Sequence, residues 1–441
     1  MKASDRIETV LRSLGIERAH FAGALSQEIE PLIEMGRVAS LSLVNPNRVS
    51  IEETGKLGSR LGILTGSSGL PAEQVARARH GLPEAAVTVI DGCATAAWTD
   101  MTREYPEQVL EMLLARAEVE GCDPAAPAPA TVTAGAAAGE VAGIRYEIDR
   151  SESGKPPLVL LPLLLAPSQW EPVLDQLASS FTVIRLGGAH LGMVAMLESR
   201  GREPGYQRIL RSVFDEIAAR PGEVVLEVGC GTGVLSRWIA TRTRRANPII
   251  AMDLNPYFLK EAAALAEDAG LSETLEFRKG NAEVLPFADD SVDITFSSTV
   301  MEECDADRML AEMVRVARPG GRVAVVVRAA DAHAICGVET EPGIKEIVES
   351  PYRSVSPSGC ADASLYRRFA ESGLRECRYF PDLLTLTDPD GAAWAYREPF
   401  FLAQMSLPER EAWADAKARA VAAGTFVFAS PVHCAVGRKP A

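Results

Sequence analysis

Apolar runs and amphipathic stretches alternate regularly from Glu223 to about Arg328. The apolar runs have the length and β-branched content of buried strands and read EVVLEV, PIIAMD, LEFRKG, VDITFS and RVAVVV. The stretches that begin at Gly233 and Pro256, together with ADRMLAEMVRVA, place apolar residues at helical spacing. Strands that alternate with helices in this way predict an α/β fold, a doubly wound parallel sheet with helices on both faces.

The part of the chain before residue 123 alternates in the same manner. Four strand-like runs, AHFAG, VASLSLVNP, GILTG and AVTVID, are separated by helix-like segments. Further on, GIRYEID, PLVLLPLLL and FTVIRL predict three more strands, and SQWEPVLDQLAS has helical periodicity. The pattern predicts a second α/β layered region with parallel strands.

The clearest boundary lies between these regions. Ala, Pro and Gly fill 15 of the 21 positions from Asp123 to Gly143, a composition that cannot form a core and is typical of a linker. We therefore divide the chain into a first region at 1–122, a linker at 123–143, a segment of strands at 144–200 and a C-terminal domain at 201–441.

Composition narrows the possible partners and the compartment. The net charge of −15 disfavours nucleic acid, because an acidic surface repels phosphate backbones. The longest apolar run, LVLLPLLLAP, is about half the ~20 residues that a membrane-spanning helix needs, so no membrane association is expected. The N-terminus carries no apolar segment typical of a secretory signal. Eight scattered cysteines without a CxxC pair indicate reduced thiols in a cytoplasmic protein and no metal site.

A glycine-rich loop, EVGCGTG, follows the first strand of the C-terminal domain and opens a helix. Gly229, Gly231 and Gly233 let the backbone turn tightly and let a ligand approach without a Cβ in the way. A dinucleotide fingerprint would place its last glycine where this chain has Val234, so a nicotinamide cofactor is disfavoured. By itself the loop is equally compatible with a plain strand-to-helix turn. Asp253 ends the next strand, where a carboxylate can accept hydrogen bonds from both ribose hydroxyls.

Four motifs in order, VVLEVGCGTG, AMDLNP, GNAEVLPFADDSVDITFSS and MVRVARPGGRVAVVV, resemble the class I S-adenosylmethionine-dependent methyltransferases. The resemblance implies a Rossmann-like fold with S-adenosylmethionine as cofactor. It places Asn281, where the family usually has Asp, at the adenine, and Ser297 beneath the sulfonium. The full set of implied cofactor-binding residues is Glu227, Gly229, Cys230, Gly231, Gly233, Asp253, Leu254, Asn281, Ala282, Glu283 and Ser298.

The chemistry of the cofactor does not identify the molecule that accepts the methyl group. A sulfonium methyl group is already activated, so transfer mainly requires a nucleophile that is held close and aligned, and a base is optional. His333 and His433 are candidate bases, although each is more often a plain surface or core histidine; we assign no catalytic residue. The acidic surface favours a small-molecule acceptor. Two insertions, 329–361 and 383–424, are placed to contact it, and the second carries aromatic residues that either line a pocket or pack a helical lid.

The first region resembles an α/β-hydrolase that lacks its catalytic residues. A nucleophile elbow reads GxSxG, whereas this chain has Gly23-Ala24-Leu25-Ser26-Gln27. Thr95 stands at the histidine's place, and no acid occurs where one is expected. A catalytic dyad of Ser26 with His20 is the one arrangement that could replace the missing triad.

The segment 144–200 resembles the early strands of the same fold. It is either an unrelated segment or the other part of a permuted hydrolase-like domain that assembles across the linker. The sequence thus predicts a methyltransferase with a non-catalytic hydrolase-like region. The alternatives are a bifunctional esterase–methyltransferase and a non-catalytic S-adenosylmethionine-binding sensor or scaffold.

Overall fold

The computed structural model describes residues 1–24, 26–96, 99–119, 138–149, 155–351 and 355–441. These residues form two compact units, a first unit of Met1–Ala195 and a second unit of Met196–Ala441. Most of the predicted linker, together with Leu25 of the elbow-like turn, lies outside the described residues.

The first unit is built on one eight-stranded sheet. Its strands are β1 (Ala19–Gly23), β2 (Val38–Val44), β3 (Leu61–Ser68), β4 (Ala86–Ala94), β5 (Ala138–Val141), β6 (Ile144–Asp149), β7 (Pro157–Leu160) and β8 (Thr182–Gly187). Its helices are α1 (Ala3–Ser13), α2 (Glu30–Glu34), α3 (Ile51–Gly55), α4 (Leu70–Ala78), α5 (Met101–Glu104), α6 (Pro106–Ala117) and α7 (Leu174–Ser180). Short 3₁₀ segments lie at Ser26–Glu28, Gly58–Arg60, Arg79–Gly81 and Pro167–Val173.

The strand order is β4-β3-β2-β1-β7-β8-β6-β5. The six strands from β4 to β8 along this order are parallel, and β6 and β5 are antiparallel to their neighbours. Strands from before and after the predicted linker therefore share one sheet, and they meet where β1 pairs with β7. Two apolar clusters, one on each face, cover the sheet because its central strands are buried on both sides.

Two sequence predictions in this unit need correction. The run PLVLLPLLL forms a strand only over Pro157–Leu160, because Pro162 has no N–H to continue a ladder. The end of the predicted linker is also structured: Ala138–Val141 is strand β5, which pairs with β6 at the edge of the sheet. An edge strand exposes its side chains and needs no apolar run. The composition of this segment therefore did not predict strand β5.

The second unit contains the other sheet. Its strands are β9 (Val225–Val228), β10 (Ile249–Asp253), β11 (Leu275–Lys279), β12 (Val292–Ser298), β13 (Ala317–Arg328), β14 (Ile335–Cys336), β15 (Arg375–Leu386) and β16 (Phe428–Arg438). Helix α8 (Gly192–Arg202) begins in the first unit and ends in the second. The remaining helices are α9 (Pro204–Ile217), α10 (Val234–Arg242), α11 (Pro256–Asp268), α12 (Ala306–Val316), α13 (Pro342–Glu349), α14 (Ser364–Glu371), α15 (Ala392–Leu402) and α16 (Leu407–Ala422).

The strand order of this sheet is β11-β10-β9-β12-β13-β16-β14, and β15 pairs with β16. The strands from β11 to β13 are parallel, and β16 runs antiparallel to β13. The order reverses between β9 and β12, so the doubly wound prediction is confirmed, and α/β sheets of this kind bind ligands outside the carboxyl ends of the strands at such a point. Helices α9 and α10 cover one face and α12 and α14 the other, each over an apolar cluster.

Candidate cofactor site

The glycine loop joins β9 to α10 at the point where the strand order reverses. Gly229 has φ +78°, and a Cβ there would lie 2.2 Å from Cγ2 of Val300. Gly233 caps α10 with φ +69°, and a Cβ would lie 2.9 Å from the ring of Phe277. Glycine at these two positions therefore satisfies both a left-handed backbone and a close approach to neighbouring strands.

Asp253 holds this loop from the end of the neighbouring strand β10. Its Oδ2 accepts a hydrogen bond of 2.7 Å from the N–H of Gly231, and its Oδ1 accepts one of 2.8 Å from the N–H of Asn255. Burial raises the pKa of Asp253, while the backbone donors partly offset that rise. The carboxylate is thus fixed at the strand end by backbone donors.

Two large aliphatic side chains are exposed at the ends of adjacent strands. Leu254, directly after β10, is 63% exposed, and Val284, just beyond β11, is 69% exposed. Between them in the chain, the Asn281 Oδ1 accepts from the N–H of Glu283 at 2.9 Å, and Ala282 packs against the apolar cluster. Glu283 in turn accepts from the N–H of Asp305 at 2.9 Å. This edge therefore offers apolar surface beside fixed polar groups. Sequence reasoning included Leu254 and missed Val284, since an isolated valine carries no motif.

Two residues of the glycine motif are buried beneath the loop. Glu227 is 1% exposed and accepts a hydrogen bond from the hydroxyl of Ser236. Burial raises its pKa to about 8. The Cys230 thiol is also buried, which raises its pKa and makes it unreactive. Glu227 thus supports the loop from below.

The two serines at the end of β12 are engaged inside the protein. The Ser297 hydroxyl donates to the carbonyl of Val228 at 2.7 Å. The Ser298 hydroxyl lies 2.7 Å from the Tyr206 hydroxyl of α9, and Ser298 is 5% exposed. Both serines therefore tie strands and helices together close to the loop.

A buried ionic cluster anchors the glycine loop from α8. Glu198 Oε1 accepts from the Thr232 hydroxyl at 2.7 Å, and Arg237 reaches both Glu198 oxygens at 2.6 Å. Glu198 is 2% exposed, so these partners compensate its burial. Nothing in the sequence pointed to Glu198, which lies outside every recognised motif and just before the predicted domain boundary.

The two candidate histidines differ in their surroundings. His433 on β16 lies between Tyr366 and Asp331: its Nδ1 is 2.8 Å from the Tyr366 hydroxyl and its Nε2 is 2.8 Å from Asp331 Oδ1. His333 is exposed on the segment after β13. Both nitrogens of His433 are thus already hydrogen-bonded to side chains of the same unit.

The aromatic residues of the second insertion pack together. Trp394 and Trp413 are each 1% exposed and form a cluster with Phe401, Phe426 and Phe428. Among the aromatic residues of this insertion, Phe400 and Tyr396 are substantially exposed. Most of these aromatic side chains therefore pack a helical lid and do not line an acceptor pocket.

The candidate dyad of the first unit is described only at its histidine, because the Ser26 side chain lies outside the described part of the chain. His20 on β1 is 3% exposed, and its Nδ1 lies 2.8 Å from the Ser40 hydroxyl on β2. Burial lowers the pKa of His20 to about 4. Thr95, at the position of the hydrolase histidine, is buried.

Across the described ranges, no helix is long and apolar enough to cross a membrane.

Comparison with known proteins bears on the second unit. A family model described as a methyltransferase domain matches residues 226–325. The ubiquinone/menaquinone biosynthesis C-methyltransferase UbiE of Vibrio vulnificus (strain YJ016) is 36% identical over 117 residues, 26% of this chain and 45% of that protein. Its namesake from Legionella pneumophila (strain Corby) is 30% identical over 172 residues, 38% of this chain and 64% of that protein.

The chain thus spans about half the length of the curated relatives it matches. Among solved structures, the YcgJ protein from Bacillus subtilis aligns with 53% of this chain and 99% of its own length, at 19% identity and a TM-score of 0.36.

Proposed function

We propose that the second unit is a class I S-adenosylmethionine-dependent methyltransferase and that this protein transfers a methyl group from S-adenosylmethionine to a small-molecule acceptor. The match of the methyltransferase-domain model to residues 226–325 and the similarity to the two C-methyltransferases support this proposal. The observation that carries the proposal is the glycine loop, which Asp253 holds at the point where the strand order reverses. S-adenosylmethionine, when bound, supplies an activated sulfonium methyl group. The residues at this edge fit that group in size and polarity.

Each part of the cofactor has a matching surface in this proposal. The Asp253 carboxylate would accept from the ribose hydroxyls at the lone-pair positions that its backbone donors leave open. Leu254 and Val284, exposed on adjacent strand ends, cover the faces of the adenine, while Asn281 to Glu283 border its polar edge. The loop from Gly229 to Gly233, whose glycines leave no Cβ in the way, would border the methionine part, with the side chains of Glu227 and Cys230 buried beneath it. Ser298 acts through Tyr206, as a positioning residue at the floor of the site.

The protein's own contribution to the chemistry is alignment. Holding an acceptor in line with the methyl group can supply roughly 7–11 kcal/mol of the barrier. The loop after β12 and the segment after β13 lie on the same edge as the glycine loop, and they are bound to each other. Arg328 donates its backbone N–H to the buried carboxylate of Glu302 at 2.7 Å, and Cys360 donates its N–H to the carbonyl of Met301 at 2.9 Å. We place the acceptor there.

For the first unit we propose a hydrolase-like sheet without catalytic activity, whose two parts occur in exchanged order along the chain. Three observations support this. The strand that precedes the elbow-like turn, β1, lies in the middle of the sheet. On one side of β1, strands β7, β8 and β6 come from the segment that resembles the early hydrolase strands. Thr95, which stands at the position of the hydrolase histidine, is buried and has no imidazole that could act as a general base.

The test is a metabolite screen with a labelled methyl donor on the full chain. We expect label in a small-molecule fraction with the native protein and none with Leu254→Glu, which places a charge against the adenine. Leu70→Glu, at a residue of the first unit that is 46% exposed at the start of α4, is the matched control and should keep full transfer. Cofactor binding without transfer to any acceptor would favour the sensor or scaffold alternative. Hydrolysis of a p-nitrophenyl ester that Ser26→Ala abolishes would restore the bifunctional alternative.

A further inference from the structure

A groove of about 610 Å³ lies along one side of α10 in the second unit, and Glu198 and Arg237, which anchor the glycine loop, form part of its wall. Four arginines line it, Arg202, Arg237, Arg244 and Arg245, together with one carboxylate, Glu198. We propose that this arginine groove binds a small molecule that carries two or more phosphate groups. The proposal is independent of the methyl transfer described above.

The charges in the groove are not balanced by the protein itself. Glu198 is bonded to Arg237 at 2.6 Å and to Arg202 at 3.4 Å, so the groove's one carboxylate is already shared by two guanidinium groups. Arg244 and Arg245 are exposed, and within the described residues neither side chain forms an ion pair or hydrogen bond. A surplus of positive charge therefore faces the groove in a chain whose net charge is −15.

The backbone holds these two arginines in an unfavourable conformation. Helix α10 ends in a Schellman-type turn, in which Arg245 donates its N–H to the carbonyl of Ala240 and Arg244 to that of Thr241. Such a turn favours glycine at its left-handed position, yet Arg244 has φ +51° and Arg245 has φ +61°. Backbone strain of this kind clusters at ligand sites, where the residues that carry it contact the ligand.

The chemistry of the groove selects phosphate groups of a small molecule. The planar guanidinium fork binds phosphate through two parallel hydrogen bonds, and several forks together match a di- or triphosphate. The groove volume lies within the range of small-molecule sites, roughly 300–1,000 Å³. The acidic remainder of the surface opposes a long polyanion, because repulsion grows with each further phosphate.

The experiment is titration calorimetry of the full chain with inorganic pyrophosphate at low ionic strength. We expect one molecule bound per chain, an affinity that falls as sodium chloride is added, and at least a ten-fold loss in the double variant Arg244→Gln/Arg245→Gln. The matched control is Arg308→Gln/Arg367→Gln, two exposed arginines on α12 and α14, which should bind as the native protein does. Circular dichroism confirms that each variant is folded.

Four outcomes would overturn the proposal. The first is a native chain that does not bind pyrophosphate, and the second is a folded double variant that binds with unchanged affinity. The third is equal affinity for citrate, which would mean a general attraction for anions. The fourth is displacement of pyrophosphate by a short single-stranded DNA that binds more tightly, which would mean a nucleic-acid surface instead.

Discussion

Asp253 connects two parts of the cofactor site through its two oxygens. It fixes the glycine loop through Gly231 and the start of α11 through Asn255, and both donors are backbone N–H groups. In the proposed site this carboxylate also accepts from the ribose hydroxyls of the cofactor, and a hydrogen bond to a charged group is worth about 1.5–3 kcal/mol. We therefore expect Asp253→Ala to weaken S-adenosylmethionine binding by more than ten-fold, as measured by calorimetry.

The control for this change is Asp268→Ala, at an exposed carboxylate that ends α11. It removes the same charge from the same unit without touching the loop, so its dissociation constant should equal that of the native protein. An Asp253→Ala variant that binds as tightly as this control would mean that the strand-end assignment is wrong.

Glu227 makes the stability of the second unit depend on pH. Burial raises its pKa from the ordinary 4.5 to about 8. Between these values the folded state keeps a proton that the unfolded chain has lost. The free energy of unfolding therefore falls as pH rises through this window, by about 1.4 kcal/mol per pH unit for this group, and levels off above it.

Glu227→Gln cannot ionise but still accepts the hydrogen bond from Ser236. Its unfolding free energy in urea should fall less than that of the native protein between about pH 5.5 and about pH 8. Glu276→Gln, at an exposed residue of β11, is the control and should follow the native curve. Parallel curves for all three proteins would contradict the buried, protonated state of Glu227.

Residues could be predicted from the sequence where they belong to a local motif. The glycines and Asp253 lie at strand ends that the apolar pattern marks, so their proximity followed from the parallel sheet. Glu198 and Tyr206 reach the loop and Ser298 from α8 and α9, with partners 34 and 92 residues away in the chain. Only tertiary packing brings such pairs together, and no local pattern encodes it.

At the scale of elements, the junction between the glycine loop and α10 depends on Gly233. Alanine at position 233 would destabilise the protein in two ways: its backbone would be strained at a positive φ, and its Cβ would lie 2.9 Å from the Phe277 ring. Gly270 has a similar φ of +63° but no atom within 4 Å of a Cβ, so it isolates the first effect. We expect Gly270→Ala to destabilise the protein by about 1–3 kcal/mol and Gly233→Ala to do so by clearly more.

Urea unfolding of the two variants measures the difference directly. Equal losses would mean that the contact with Phe277 relaxes at no cost and that only the backbone conformation requires glycine at position 233. A larger loss at position 270 would contradict the packing of the loop against β11.

Elements were predicted well where both faces of a strand are buried and poorly where they are not. The central strands of both sheets read as continuous apolar runs, which fix their positions. Strand β5 lies at an edge, and its Ala- and Gly-rich sequence looks like a linker. The run after β7 shows the opposite error: Leu161 to Leu165 are buried and apolar, but they form no strand.

At the scale of the whole molecule, the first unit is assembled from two separate stretches of chain. In β1, His20, Phe21 and Ala22 pair with Leu158, Val159 and Leu160 of β7. Without the later stretch, β1 would keep an unpaired edge in the centre of the sheet, and the apolar faces that Trp170 and Phe181 cover would be exposed. The unit should therefore fold only when both stretches are present.

The test compares a fragment of residues 1–119 with one of residues 1–202. We expect the shorter fragment to lack protected amide hydrogens, and the longer one to unfold cooperatively in urea with protected amides in β1 and β7. Mixing the shorter fragment with a separate segment of residues 138–202 should restore that protection, because the missing neighbours of β1 can then dock without a covalent connection. If residues 1–119 are protected and cooperative on their own, β7 and β8 are dispensable to the sheet, and the proposal of a hydrolase-like unit made from two exchanged parts fails.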